Sequence, residues 1–100
     1  MNTLQTHVAA IGQLCAAHRV KKLYAFGSVL TDKFTPQSDI DLIVEFLPLD
    51  VLDYADNYFG LKFSLEAMLQ RPIDLLEDQA IQNPYFREAV NQHRQLVYGQ

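Results

Sequence analysis

Leu23-Tyr24-Ala25-Phe26-Gly27-Ser28, and after it Ser38-Asp39-Ile40-Asp41-Leu42-Ile43-Val44-Glu45-Phe46, decide how this chain folds. They read as a strand, a Gly-Ser turn, a short loop-helix and a second strand. Side chains on a strand alternate faces, so Asp39 and Asp41 point one way while Ile40, Leu42, Val44 and Phe46 point the other. Two carboxylates on one face repel, and the pairing makes physical sense where a cation sits between them. Oxygen-only ligands suit Mg2+, which takes one or two carboxylates and fills its shell with waters and substrate phosphates. The Gly27-Ser28 turn offers what a phosphate needs: a backbone open to close approach, N–H groups at a helix start, and a hydroxyl. A phosphate cradle beside metal-binding carboxylates is a nucleotide-handling arrangement.

Outward from that centre, Val20 to Phe26 is the first strand, and Ser28 to Lys33 a helical turn ended by the loop Thr35-Pro36-Gln37. Ile40 to Phe46 is the second strand, broken by Pro48. Asp50 then caps a helix from about Val51 to Leu69, with Tyr54, Tyr58, Leu61, Leu65 and Met68 on one stripe. Its aromatic and Met content reads as core or partner surface rather than a cofactor box. Arg71-Pro72 ends this helix, and Ile73 to Glu77 is a third strand carrying Asp74. Upstream, Thr3 to Arg19 forms a helix whose Leu4, Val8, Ile11 and Cys15 make one apolar stripe, with His7 and His18 on its solvated side. Downstream, Asn83-Pro84 opens a last helix to about Tyr98, with Phe86, Val90, His93 and Val97 on one face. His93 then reads as a structural histidine, and Gly99 as the stop.

Three strands with flanking helices predict a single α/β (α+β) domain over residues 1–100, built on a small mixed three-stranded sheet. If the second and third strands are neighbours, one register puts Asp74 beside Asp39 and Asp41, a three-carboxylate cluster at one end of the sheet. The ordinary alternative is that Asp39 and Asp41 are polar-face residues of a half-exposed strand. Glu45 shares their face further along and reads as solvated; Asp32, Asp50 and Asp53 read as turn or cap residues.

One hundred residues allow one core and no second module. The net charge of −4, with no Lys/Arg-rich stripe, disfavours tight nucleic-acid binding and suits a basic protein partner. Cys15 is the only cysteine, which excludes an internal disulfide, and its helical position reads as buried. There is no apolar span of membrane-crossing length and no leader-like start, so a cytoplasmic protein is expected.

Gly27-Ser28, ten intervening residues and Asp39-Ile40-Asp41 together resemble the signature of nucleotidyltransferases of the DNA polymerase beta superfamily. More narrowly, the chain resembles the minimal nucleotidyltransferases (MNT), including MntA-type antitoxins encoded beside HEPN-domain toxins. The likeness runs from the N-terminal helix through Phe26-Gly27-Ser28 and Ser38-Asp39-Ile40-Asp41-Leu42 to Arg71-Pro72-Ile73-Asp74-Leu75. It implies the nucleotidyltransferase fold, ATP as substrate, and two Mg2+ ions held by Asp39 and Asp41, with Asp74 as third ligand and helper in deprotonating the acceptor. Gly27 and Ser28 would bind the β- and γ-phosphates. A hydroxyl would then attack the α-phosphorus in line and release pyrophosphate.

Many such proteins follow Gly-Ser with an arginine and a further basic residue two positions on; here Val29 and Thr31 stand there. Positive charge near the phosphates would come from Mg2+, or from Lys33, Lys62 or Arg71. Three functions follow from the resemblance. One is AMP transfer to a partner protein, in particular a tyrosine of a HEPN RNase toxin; the second is transfer to a small molecule such as an aminoglycoside; the third is a non-catalytic antitoxin that acts by contact. Small-molecule transferases of this superfamily generally append a domain that shapes the acceptor pocket, so the length favours a protein acceptor, docked near Tyr54, Tyr58 and Phe59.

Overall fold

The apolar sides of the strands meet in a sheet of four strands, one more than the sequence reading predicts. The computed structural model describes residues 2–31, 33–35 and 37–99, with the backbone alone for Asn2 and Thr3. The turn role expected of Asp32 and the proline of the Thr35-Pro36-Gln37 loop therefore lie outside the described residues. In chain order the elements are α1 (Asn2–Thr6), α2 (Val8–Ala17), β1 (Val20–Phe26), a 3-10 turn (Gly27–Leu30), β2 (Ile40–Phe46) and α3 (Val51–Leu69). β3 (Ile73–Glu77), a second 3-10 turn (Asp78–Ala80), α4 (Pro84–His93) and β4 (Gln95–Tyr98) follow. The sheet order is β3-β2-β1-β4, with β1 antiparallel to β2 and β4, and β2 parallel to β3 across the α3 crossover.

Period-two alternation sets which face is buried. Leu23, Ala25, Ile40, Leu42, Val44, Ile73 and Leu75 enter a core closed by Leu4, Ile11 and Cys15 from α1 and α2 and by Leu61, Leu65 and Leu69 from α3. Each large aliphatic side chain so buried contributes about 1.5–3 kcal/mol before ordering entropy is set against it. A bulge at Lys21 keeps Val20 on this face, since Val20 opposes Phe46 while Lys22 already opposes Glu45. Burial pushes the Cys15 thiol up to about 12, as expected of an inert core cysteine. The opposite face carries Tyr24, Phe26, Asp41, Ile43 and Asp74, and α4 lies against it. Phe86 meets Phe26 edge-on at 5.8 Å, and the Arg94 guanidinium stacks 4.1 Å over Tyr24. Ile43 and Val90 are fully buried there, outside the main core.

Several sequence expectations are corrected. The last helix stops at His93 rather than running to Tyr98, and the chain turns extended at Arg94, φ −65° and ψ 148°. Val97 and Tyr98 then belong to β4, because the open edge of β1 offers backbone partners that another helical turn would forgo. His93 is exposed, so the helical spacing that made it a core position coincides with nothing in the packing. The first helix is two, parted at His7 (φ −109°, ψ 13°), and ends at Ala17. His18 is half-buried rather than solvated, its Nδ1 hydrogen-bonded to the Leu14 carbonyl at 2.8 Å. The turn after β1 spans Gly27–Leu30, shorter than the expected Ser28–Lys33. Asp50 starts α3 with its backbone alone, its carbonyl accepting from Asp53 N at 3.0 Å. Asn83 caps as expected, its Oδ1 accepting from Tyr85 N and Phe86 N at 2.9 and 3.0 Å.

Candidate active site

β1 ends at Phe26 and the chain turns at once through Gly27, whose φ of +82° is left-handed. A Cβ built at Gly27 would stand 2.6 Å from Asp41 Oδ2. Glycine is required here twice, by the backbone angle and by the space that the Asp41 carboxylate fills. Ser28 follows in the 3-10 turn, its carbonyl accepting from Thr31 N at 2.9 Å and Thr31 Oγ1 at 3.0 Å.

Asp41 stands between two neighbours on its sheet, Phe26 on β1 and Asp74 on β3. Paired residues on adjacent strands share a face, so the Asp41 and Asp74 side chains lie side by side. Asp39 reaches the same side two residues before Asp41. The Asp41 carboxyl is held above the usual carboxylate range, first by burial, then by the charges of Asp74 and of Asp39. The structure thus gathers Asp39, Asp41, Asp74 and Gly27 at the end of the sheet where β2 and β3 begin, with Ser28 just beyond the turn.

Hydrogen bonds from the following segment deliver Asp39 to that end. Arg71 Nη1 donates to the carbonyls of Thr35 (2.7 Å) and Ser38 (3.2 Å), and its guanidinium lies 4.1 Å over the Phe34 ring. Ile40 N donates to the Pro72 carbonyl at 3.1 Å, and Ile73 N to Glu66 Oε2 at 3.0 Å. Arg71, one of three candidate phosphate cations in the sequence, is therefore occupied in holding the loop. Lys33 is exposed and Lys62 half-buried, and among the described residues neither forms an ion pair. The clamp role of Arg71 escapes sequence reading because its partners are backbone carbonyls 33 and 36 residues away. Tyr54 and Tyr58, read as core or partner surface, are half-buried, Tyr58 packing against the core. They hydrogen-bond Glu77 and the Leu75 carbonyl, which fixes α3 to β3.

The donor set fits a hard divalent cation. All three acids offer oxygen, Asp39 and Asp74 are exposed, and Asp41 is half-buried. Among the described residues no group of three or more His, Cys, Asp or Glu side chains is arranged so as to hold a metal ion. A Mg2+ ion bound here would draw on one or two of these carboxylates and complete its shell with waters and substrate phosphates. The hollow of about 490 Å³ lined by Glu45, Phe46, Tyr54 and Glu77 lies at the other end of the sheet, away from these acids.

Residues 9–97 match the Nucleotidyltransferase domain family. A Methanocaldococcus jannaschii protein named, on inference, protein adenylyltransferase MJ0128 is 35% identical over 81 residues, 81% of this chain and 78% of that relative. MJ1379 of the same organism, named likewise, is 32% identical over the same shares. A solved structure named, also on inference, a minimal nucleotidyltransferase superposes with a TM-score of 0.77 at 30% identity, covering 94% of this chain and 92% of that one. A toxin–antitoxin complex with AMP-PNP shares the fold at a TM-score of 0.71 and 21% identity, over 93% of this chain and 73% of that one. So does the structure of a tri-AMPylated Shewanella oneidensis HEPN toxin with its MNT antitoxin, at 0.65 and 20%, over 97% and 73%. A match over nearly the whole length, on a sheet that seats the Gly-Ser turn against an Asp-x-Asp strand, means that this chain belongs to the nucleotidyltransferase domain family, alongside the minimal nucleotidyltransferases.

Proposed function

We propose that this protein moves AMP from ATP, with Mg2+, onto a tyrosine hydroxyl of a HEPN-family toxin and so acts as its antitoxin in the cytoplasm. The observation that carries this reading is the parallel register that sets Asp74 beside Asp41, with the Gly27 turn packed on the Asp41 carboxylate. Asp39, Asp41 and Asp74 would hold two Mg2+ ions, and the Gly27-Ser28 backbone and hydroxyl would take the β- and γ-phosphates. When bound, the metal neutralises the triphosphate and acidifies an attacking hydroxyl. Asp74, exposed on the edge strand β3, would accept the hydroxyl proton. The acceptor oxygen forms a new ester bond to the α-phosphorus, the bond to the bridging oxygen breaks, and pyrophosphate leaves.

Further support comes from the relatives named protein adenylyltransferases and from the neighbours seen with AMP-PNP and with an AMPylated HEPN toxin. The acids lie open at a sheet end, which suits an acceptor that brings its own fold. The net charge of −4 suits a protein acceptor better than nucleic acid. Among the described residues no helix is long and apolar enough to cross a membrane.

The test is to incubate the protein with labelled ATP, Mg2+ and the HEPN-family protein encoded beside it. The partner is expected to gain AMP units, and the gain to vanish in Asp39→Ala/Asp41→Ala. A neutralised but unlabelled partner would make the protein a contact inhibitor. Label appearing on an aminoglycoside instead would make it a small-molecule transferase.

A further inference from the structure

An apolar stripe stands uncovered on the outer side of α3. Leu52, Phe59 and Phe63 recur at seven and then four residues, a spacing that returns to one side of a helix. They are 90%, 46% and 58% exposed, and Val51 beside them is 87% exposed. The Phe59 and Phe63 rings are stacked, 5.7 Å between centres, and make one continuous apolar surface. α3 already buries Leu61, Leu65 and Leu69 in the core, and the far side of such a helix is ordinarily charged.

Acids border the start of the stripe. Asp50, Asp53 and Asp56 are exposed, and among the described residues none of them forms an ion pair, whereas Glu45 and Asp78 do. Direction matters as well. α3 packs on the sheet face opposite the aspartates. It begins beyond the far end of β2, and at about 1.5 Å per residue it runs some 28 Å back along the sheet. The stripe therefore stands apart from the reacting atoms and would hold the acceptor at a distance from them. The helix finishes beside Arg71, which holds the loop that presents Asp39.

We propose that this stripe is the docking surface for the protein acceptor, and that it receives a segment with an apolar face bordered by Lys or Arg. This rests on the reading that the acceptor is a protein. A second copy of the chain is the poorer occupant, because the net charge of −4 and the exposed aspartates around the start of α3 would repel their own kind. The basic border steers the encounter, and the aromatic anchors hold it.

Two probes test docking without any transfer chemistry: a helical peptide of about twenty residues, apolar on one face and lysine-flanked, and its glutamate-flanked twin. Titrated into the isotope-labelled full chain, the lysine peptide alone is expected to shift the amides of residues 51–63, less so at higher salt. Leu52→Ser/Phe63→Ser should weaken it by about tenfold or more. The same variant should raise KM for the HEPN-family protein by a similar factor, with kcat within about twofold. Equal binding of the two peptides, shifts confined to other elements, or no shift at all would overturn the proposal. Wild-type self-association that the double variant abolishes would give the stripe to a second copy and overturn it too. AMP-PNP binding with Mg2+ keeps the two readings apart: the stripe variant should retain it and Asp39→Ala/Asp41→Ala should lose it. A chain that docks the peptide but fails to bind AMP-PNP would lose the catalytic reading alone, and the converse would sink docking alone.

Discussion

The two ends of this one sheet treat their carboxylates in opposite ways. Where β2 and β3 finish, Glu45, Glu77 and Asp78 each have a donor. Glu45 pairs with Lys21 at 3.4 Å, and Asp78 with Arg87 and Arg94 at 2.8 and 3.2 Å. Glu77 accepts from the Tyr54 hydroxyl and the Gln79 amide. Where the same strands begin, Asp39, Asp41 and Asp74 stand together, and among the described residues no Lys or Arg pairs with any of them. Paired acids hold elements in place, whereas an unpaired cluster costs stability and is kept for what it can bind.

The sharpest way to break that contrast is Asp41→Asn. It should lower AMP transfer by about 10²–10³-fold, the scale of losing one preorganised charge contact to a transition state. Without divalent ions the same variant should melt higher than wild type. The sign follows from linkage: the Asp41 carboxyl is raised in the folded state by burial, Asp74 and Asp39, so folded protein holds its proton more tightly than unfolded protein does. Wild type therefore loses stability as pH rises from the ordinary Asp range through the raised folded value, and the loss persists above it. Asp41→Asn should lack that slope, so thermal melts in chelator across acidic to neutral pH should diverge as pH rises. Parallel curves would mean that the acids do not repel.

Gly27→Ala comes next. The left-handed φ alone carries a cost of order 1–3 kcal/mol for a residue with a Cβ. The methyl must also displace a carboxylate oxygen that would lie 2.6 Å away, so transfer should fall together with urea stability. Loss of stability with transfer intact would mean that Asp41 does not work from this position.

Much of this end was legible in the sequence because its signals are local. Alternation put Asp39 and Asp41 on one face, the Gly-Ser turn carried its own conformational demand, and the bounds of β1, β2, β3 and α3 match the observed ones. The pairing of Asp74 with Asp41 was conditional on adjacency, which β3 beside β2 now supplies. What escaped is non-local. β4 forms because an edge of β1 is open, a fact held by strand order and not by Gln95–Tyr98 themselves. The exposed side of α3 was legible in part: the sequence left its aromatics as core or partner surface and named Phe59 for docking, but not Leu52 or Phe63, which differ from core residues only in what they fail to touch.

Two smaller effects probe the paired end. Asp78→Ala strips both Arg87 and Arg94 of their carboxylate in a half-buried site, and should cost about 1.5–3 kcal/mol in chemical denaturation, the range for hydrogen bonds to charged groups. It should leave AMP-PNP affinity unchanged, because none of its partners reaches the aspartates. Lys21→Ala should cost least. Its pair with Glu45 leaves the two side chains 54% and 37% exposed, and water screens such pairs to about 0.2–1 kcal/mol, less at high salt. The Lys21 bulge, not its charge, is what returns Val20 to the core face, so the backbone should keep its register when the ammonium is gone. A larger loss that salt does not diminish would show that Lys21 supports the fold through its side-chain stem. The contrast between the two ends would then rest on Asp78 with its arginines and Glu77 with Tyr54 and Gln79.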